Sequence, residues 1–232
     1  MPDSPQISPS KLVFTGLYLL AWPLLVLWLA GDWRWPEGWA FGLWFIAMCG
    51  TSIIWLYRHD PALLAERYRR PGTGGQGRAD QRIVQAIVIG FVAWIVVMPL
   101  DARRFHWTPP LPVGLQPIGA VLLLLSGWLL FRSFTDNSFL SPLVRIQSER
   151  QHRVVTTGVY RLVRHPMYLG AACMFIGAPM LLRSTLGFVV GAALSLLLAG
   201  RILIEERLLA QELEGYDDYR RAVRYRLIPF VW

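Results

Sequence analysis

Two short constellations carry most of the chemistry that this sequence offers. The first is Arg164-His165-Pro166-Met167-Tyr168, set at the start of an apolar run. Proline is favoured in the first turn of a helix, where its missing N–H is no loss. His165 then falls at the helix cap, beside free backbone donors and the positive end of the helix dipole, which welcome an anion. The second is Arg201, Glu205 and Glu206, at the end of a later apolar run. Arg201 and Glu205 are four residues apart and share one helical face. A carboxylate pair next to a cation, facing an anion-binding helix start, suits a zwitterionic ligand. Two plainer readings use the same residues: an interfacial anchor of snorkelling arginine and belt tyrosine, and an ion pair that closes a helix. Ionisable groups at membrane depth favour a functional role.

Elements must bring these constellations together. The chain has 232 residues, of which 54% are hydrophobic and 16% charged. A soluble domain carries about 25% charged residues. Such a chain buries too much apolar surface to be disordered. Runs at 12–30, 39–57, 83–100, 115–131, 168–182 and 186–204 approach the ~20 residues that cross a bilayer. The first is too rich in Trp and Leu, and too far from a small-residue cleavage site, for a removed signal peptide. Spans must be helical, since lipid offers the backbone no partners. Only Arg183, Ser184 and Thr185 separate the last two runs. That break predicts an antiparallel hairpin whose two free ends, carrying the two constellations, meet on one side.

Charge supports this topology. The net charge is +8, and Lys11 is the one basic residue that is not arginine. Arginines number six in 58–82, six in 132–167 and six from 201 onward, against one, two and one in the alternate connections. The positive-inside rule then puts both termini in the cytoplasm. The basic character is read as membrane topology rather than nucleic-acid binding. Cys49 and Cys173 lie in apolar runs and are expected to pack; no metal site is expected. The glycine-rich stretch 71–77 lacks the GK[ST] of a phosphate loop and reads as a linker, and 1–10 reads as a mobile tail. The expected architecture is all-α, a polytopic bundle of five to six spans. Residues 1–131 form N-terminal helices; 132–232 form the catalytic region, with a pocket on the cytoplasmic side.

The ordered set GVYRLVRHPMYLG, then a hairpin, then EERLLAQELEGYDDYRRAVRYRLIP resembles the isoprenylcysteine carboxyl methyltransferase family, to which phospholipid N-methyltransferases are related. Gly158, Tyr160, Arg164, His165, Pro166, Tyr168, Glu205, Glu206, Gly215, Tyr219 and Pro229 fit its pattern in order. Asp218 replaces the first tyrosine of the G-x-x-Y element. The resemblance covers about the last 90 residues. It implies an integral membrane enzyme that uses S-adenosylmethionine and a lipophilic acceptor entering from the bilayer. It further implies that His152, Arg153, Val154, Val155 and Tyr160 line the cofactor cleft, with Gln147 a polar contact upstream. Arg164, His165, Pro166, Met167 and Tyr168 would form the helix-start wall, with Glu206 at its side. Glu205 would hold the cofactor's ammonium, and Arg201 would orient the acceptor. The plasma membrane of a prokaryote is the expected location. The acceptor atom stays open between oxygen, nitrogen and sulfur. Sterol reductases, which bind NADPH, share the R-H-x-x-Y element and the tail, but have Asn before the tyrosine and Gly-Asp after it. Here Met167 precedes Tyr168 and Leu169-Gly170 follow. A non-enzymatic scaffold is the third reading.

Overall fold

The computed structural model describes residues 9–68 and 77–232, which form helices joined by irregular connections, with no strand among them. Both the glycine-rich 71–76 and the tail 1–8 lie outside the described residues. Helix α1 is Pro9–Ala30, α2 Pro36–His59, α3 Pro61–Arg67 and α4 Arg78–Pro99. Helix α5 is Gln116–Asp136, α6 Pro166–Leu182, α7 Thr185–Glu212 and α8 Tyr216–Ala222. Five helices among the described residues are long and apolar enough to cross a membrane, and α6 is a shorter apolar helix of 17 residues. At 1.5 Å per residue α6 spans only about 25 Å. It compensates by sitting inside the bundle, where most of its residues are buried.

The outer faces fit hydrocarbon. Leu17, Leu43, Ile89, Leu124 and Leu196 stand exposed on five different helices, which in water would be an aggregation surface. Aromatic packing fills the inside: Trp94 meets Phe175 edge-on at 5.3 Å and Phe41 at 6.2 Å. Helices α5 and α6 approach closely because their contact is glycine on glycine. A Cβ on Gly119 would run into the carbonyl oxygen of Gly177, the small-residue packing that membrane bundles favour.

Helix α7 differs from expectation in its reach. It runs 28 residues, to Glu212, eight beyond the apolar run. That is about 42 Å, longer than the hydrocarbon is thick, so its last turns carry Arg201, Glu205 and Glu206 toward the polar region as one continuous helix. Helix α4 likewise starts at Arg78 and takes in Asp80 and Arg82. Pro99 ends α4, and a wider π-turn follows over Leu100–Phe105. Proline has no N–H for the regular ladder.

The connections sort to two ends. At one, Arg103 pairs with Asp32 at 2.6 Å, Gln116 bonds Glu37 and the Leu181 carbonyl, and Arg183 donates to Leu111. At the other, Glu66, Asp80, the segment 137–165 and the C-terminal tail lie together. This is the alternation that the arginine count predicts.

Candidate functional site

At the arginine-rich end the two free ends of the α6–α7 hairpin flank a polar pocket. Arg164 and His165 reach it through backbone pairing with the tail: their N–H groups donate to Tyr225 O and Arg226 O at 3.0 and 2.9 Å. His165 is the N-cap of α6 and Pro166 its first residue, yet no side chain caps the helix start. His165, Pro166, Met167 and Tyr168 line the pocket there.

The α7 side of the pocket is set by two adjacent acids with different fates. Glu206 is buried and saturated. It accepts from Arg164 Nε at 2.7 Å and Arg226 Nε at 2.7 Å, and His165 Nε2 lies 3.2 Å away. Arg164 goes on to hold the carbonyls of Val223 and Arg224 at 2.8 and 3.0 Å. This cluster ties α6, α7 and the tail together. Glu205 is half-buried, faces the pocket, and accepts from the Tyr168 hydroxyl at 2.5 Å.

Gly158, Val159 and Tyr160 build a third wall. The Asp136 carboxylate, at the end of α5, accepts from Val159 N at 3.0 Å. Gly158 holds φ +59, and a Cβ there would collide with that carboxylate. Both the backbone sign and the space require glycine. Tyr160 donates to Ser133 O at 3.3 Å, and Tyr219 donates to Tyr160 O at 2.7 Å. Burial pushes the phenol pKa of Tyr160, Tyr216 and Tyr219 upward, so all three stay neutral.

The rim is the segment 137–145, followed by His152, Arg153, Val154 and Val155. Helix α3 anchors it: Glu66 accepts from Ser141 Oγ at 2.9 Å and from Arg145 Nε and Nη2 at 3.0 and 2.9 Å. His152 stacks on Phe139 at 4.7 Å. Burial, then the charges of Arg150 and Arg145, hold its pKa below the usual histidine value.

The pocket wall thus contains His152, Arg153, Val154, Val155, Tyr160, Arg164, His165, Pro166, Met167, Tyr168 and Glu205. Three residues expected at the site stand off it. Gln147 is fully buried and serves the rim's own fold, donating to Phe139 O at 2.6 Å and accepting from Arg150 at 2.9 Å. Glu206 belongs to the ion cluster behind the wall. Arg201 does not pair with Glu205; it donates to Asp80 at 2.9 Å and Pro142 O at 2.6 Å, with its guanidinium 5.9 Å from the Tyr168 ring centre. Helical spacing puts Arg201 and Glu205 on one face, but that face is shared by two neighbours, α4 and α6. Asp80 lies 121 residues away in sequence, which no local pattern reveals. Sequence reasoning also missed Asn137, Phe139, Leu140, Ser141, Leu143, Val144 and Arg145, and did not place Leu209 or Leu213 in the pocket. The one available signal was a turn-rich polar stretch, DNSFLSPLVR, directly after an apolar run.

Fold and site define an integral membrane protein of helices with a polar pocket at one end. The phospholipid methyltransferase family model matches residues 115–214. Protein-S-isoprenylcysteine O-methyltransferase B of Arabidopsis thaliana is 29% identical over 146 residues, 62% of this chain and 70% of its own length. Methanethiol S-methyltransferase of Mycobacterium tuberculosis is 33% identical over 128 residues, 50% of this chain and 51% of its own. A mouse delta(14)-sterol reductase shares 27% identity over 161 residues, but only 38% of its length is covered. Among solved structures, a eukaryotic intramembrane Ras methyltransferase, isoprenylcysteine carboxyl methyltransferase, superposes with a TM-score of 0.58 at 24% identity, over 92% of this chain and 74% of that one. The likeness of that structure is one of fold. By its relatives and its matched region, the chain is similar to isoprenylcysteine carboxyl methyltransferase-like membrane methyltransferases, a class that in general uses S-adenosylmethionine.

Proposed function

We propose that the pocket holds S-adenosylmethionine and that the chain methylates a carboxylate on a lipophilic acceptor. The observation that carries this reading is the pairing of Glu205 with Tyr168 across the hairpin's open end. It sets an under-satisfied carboxylate opposite an uncapped helix N-terminus. The pocket residues fit the cofactor. Glu205 would take its ammonium, and the first turn of α6 its carboxylate. Val154, Val155, Leu209 and Leu213 offer apolar contact to its nucleoside, with Tyr216 and Tyr219 at the same wall.

When bound, the cofactor supplies an activated methyl on sulfonium. The protein's part is orientation and exclusion of water. A carboxylate acceptor is already ionised, so no side chain need take a proton. Arg201, behind Tyr168, is a positioning group for the acceptor side, held rigid by Asp80. An amine acceptor would instead need a base, and His165 or Glu206 would be candidates; their saturation with one another argues against it. The residues before 131 act mainly as scaffold, although Glu66 and Asp80 support the site from there. We place the pocket end and both termini on the cytoplasmic side of a prokaryotic plasma membrane, where a soluble cofactor is at hand.

The test has two arms. Purified protein is titrated with S-adenosylhomocysteine and, in parallel, with NADPH; only the first should bind. Transfer from methyl-labelled cofactor to N-acetyl-S-farnesylcysteine is then compared with transfer to its amide. Label appearing in the acid alone supports O-methylation. NADPH binding would turn the reading toward a reductase, and binding of neither toward a scaffold.

A further inference from the structure

Arg67 is an arginine that neither the pocket nor the ion clusters use. It ends α3, next to Glu66, whose carboxylate faces the pocket rim. The Arg67 guanidinium turns the other way and lies over the Phe134 ring at 4.5 Å. Its Nη1 is buried with no hydrogen-bond partner. The neighbouring arginines are satisfied: Arg164 by Glu206, Arg201 by Asp80, Arg145 by Glu66. A buried guanidinium nitrogen without an acceptor is costly and marks a place where a ligand could supply one. Burial holds the pKa of Arg67 down at about 10, and the charge of Arg201 pushes in the same direction. Even so it remains a cation.

The helix face that runs from the bilayer to Arg67 is apolar. Phe134, Phe131, Gly127 and Leu124 recur at helical spacing on one face of α5. Between this face and α2 lies a groove lined by Trp44, Met48, Thr51 and Phe131. Trp55 of α2 meets Phe131 edge-on at 6.3 Å, one turn before Phe134 and the guanidinium. The stripe on α5 therefore leads from lipid to an unmatched positive charge.

We infer that Arg67 binds the carboxylate of the methyl acceptor, with the acceptor's apolar chain lying along the α2–α5 groove. The identity of this ligand rests on the methyl-transfer reading above; the binding of an apolar carboxylate does not. The groove gives affinity without charge preference, and Arg67 gives the charge preference.

The test uses the full chain in nanodiscs of neutral phosphatidylcholine, with S-adenosylhomocysteine present. Affinity is measured for N-acetyl-S-geranylcysteine and for its methyl ester. Wild type should prefer the acid by about tenfold or more, the worth of a charge-assisted hydrogen bond. Arg67→Gln should abolish the preference and leave S-adenosylhomocysteine affinity unchanged. Gly127→Leu, which fills the groove, should weaken acid and ester alike and keep the preference, and so checks the pose without touching the charge. The inference is overturned if wild type shows no preference, if Arg67→Gln keeps it, or if added phosphatidylglycerol displaces the acid in wild type, which would make this an anionic lipid site. If the preference behaves as expected but no methyl is transferred, the methyl-transfer reading fails and the Arg67 site stands.

Discussion

The two ends of the α6–α7 hairpin both bury carboxylates, and they treat them differently. At the turn, Arg183 takes the left-handed conformation and Ser184 caps α7 by accepting from Gly187 N. There the Asp101 carboxylate receives four donors: Thr108 N at 3.0 Å, Thr108 Oγ1 at 2.8 Å, Ser184 Oγ at 2.7 Å and Leu186 N at 3.1 Å. Nothing is left for a ligand. At the open end, Glu206 is consumed in the same way by arginines and His165, while Glu205, one residue earlier, has Tyr168 and a pocket in front of it. Burial of an acid in this membrane protein is therefore no sign of function by itself. The sign is an acid whose hydrogen-bonding capacity is only part-filled and which faces an opening.

That contrast can be pressed experimentally. Arg164→Ala should have the largest effect. It removes a partner of buried Glu206 and releases two tail carbonyls, so about 3–5 kcal/mol of stability should go, and S-adenosylhomocysteine binding with it. Thermal unfolding in detergent, followed by titration of the surviving folded fraction, reads both. Asp101→Ala should destabilise by about 3 kcal/mol, by orphaning the buried Ser184 and Leu186 donors. In the same two assays its folded fraction should bind S-adenosylhomocysteine within about twofold of wild type, because Asp101 is filled by protein donors at the far end of the hairpin from the pocket. A tenfold loss there would erase the distinction between the ends.

Tyr168→Phe should be milder in stability and specific in binding. It frees Glu205 without removing its charge, and a less well aimed carboxylate should weaken S-adenosylhomocysteine roughly fivefold, about one hydrogen bond's net worth, with unfolding temperature nearly unchanged. The smallest effect concerns pH. His152 has a folded pKa below its unfolded value of 6.5, so the fold favours its neutral form. Its contribution to stability is complete above pH 6.5 and is lost as pH falls through the folded pKa. The stability–pH curve of His152→Phe should be flatter than wild type in that window alone; parallel curves would show that His152 does not titrate on folding.

The same contrast separates what was legible in the sequence from what was not. The apolar runs, the three-residue break and the arginine alternation were legible, because membrane thickness and charge topology act on local stretches. The resemblance points to the stretches His152–Val155 and Arg164–Tyr168, and both line the pocket, the second at a helix start that Pro166 marks. Partners chosen by tertiary packing were not legible. Arg201 reads as the neighbour of Glu205 along its own helix, yet a different helix supplies Asp80 and a loop supplies the Pro142 carbonyl. Gln147, which the resemblance offers as a polar cofactor contact, is instead the buried pin of the rim. Adjacent Glu205 and Glu206 cannot be told apart by composition. Their roles follow from where a 100° step per residue points each of them once α6 and the tail are in place.

The division between these two acids is the centre of the account, and one titration addresses it. S-adenosylhomocysteine affinity is measured by calorimetry for wild type, Glu205→Gln and Asp101→Asn, with unfolding temperatures taken on the same samples. Wild type should bind, Glu205→Gln should bind about tenfold or more weakly at an unchanged unfolding temperature, and Asp101→Asn should bind like wild type while unfolding earlier. Equal affinity in wild type and Glu205→Gln, or a folded wild type that does not bind at all, would contradict it.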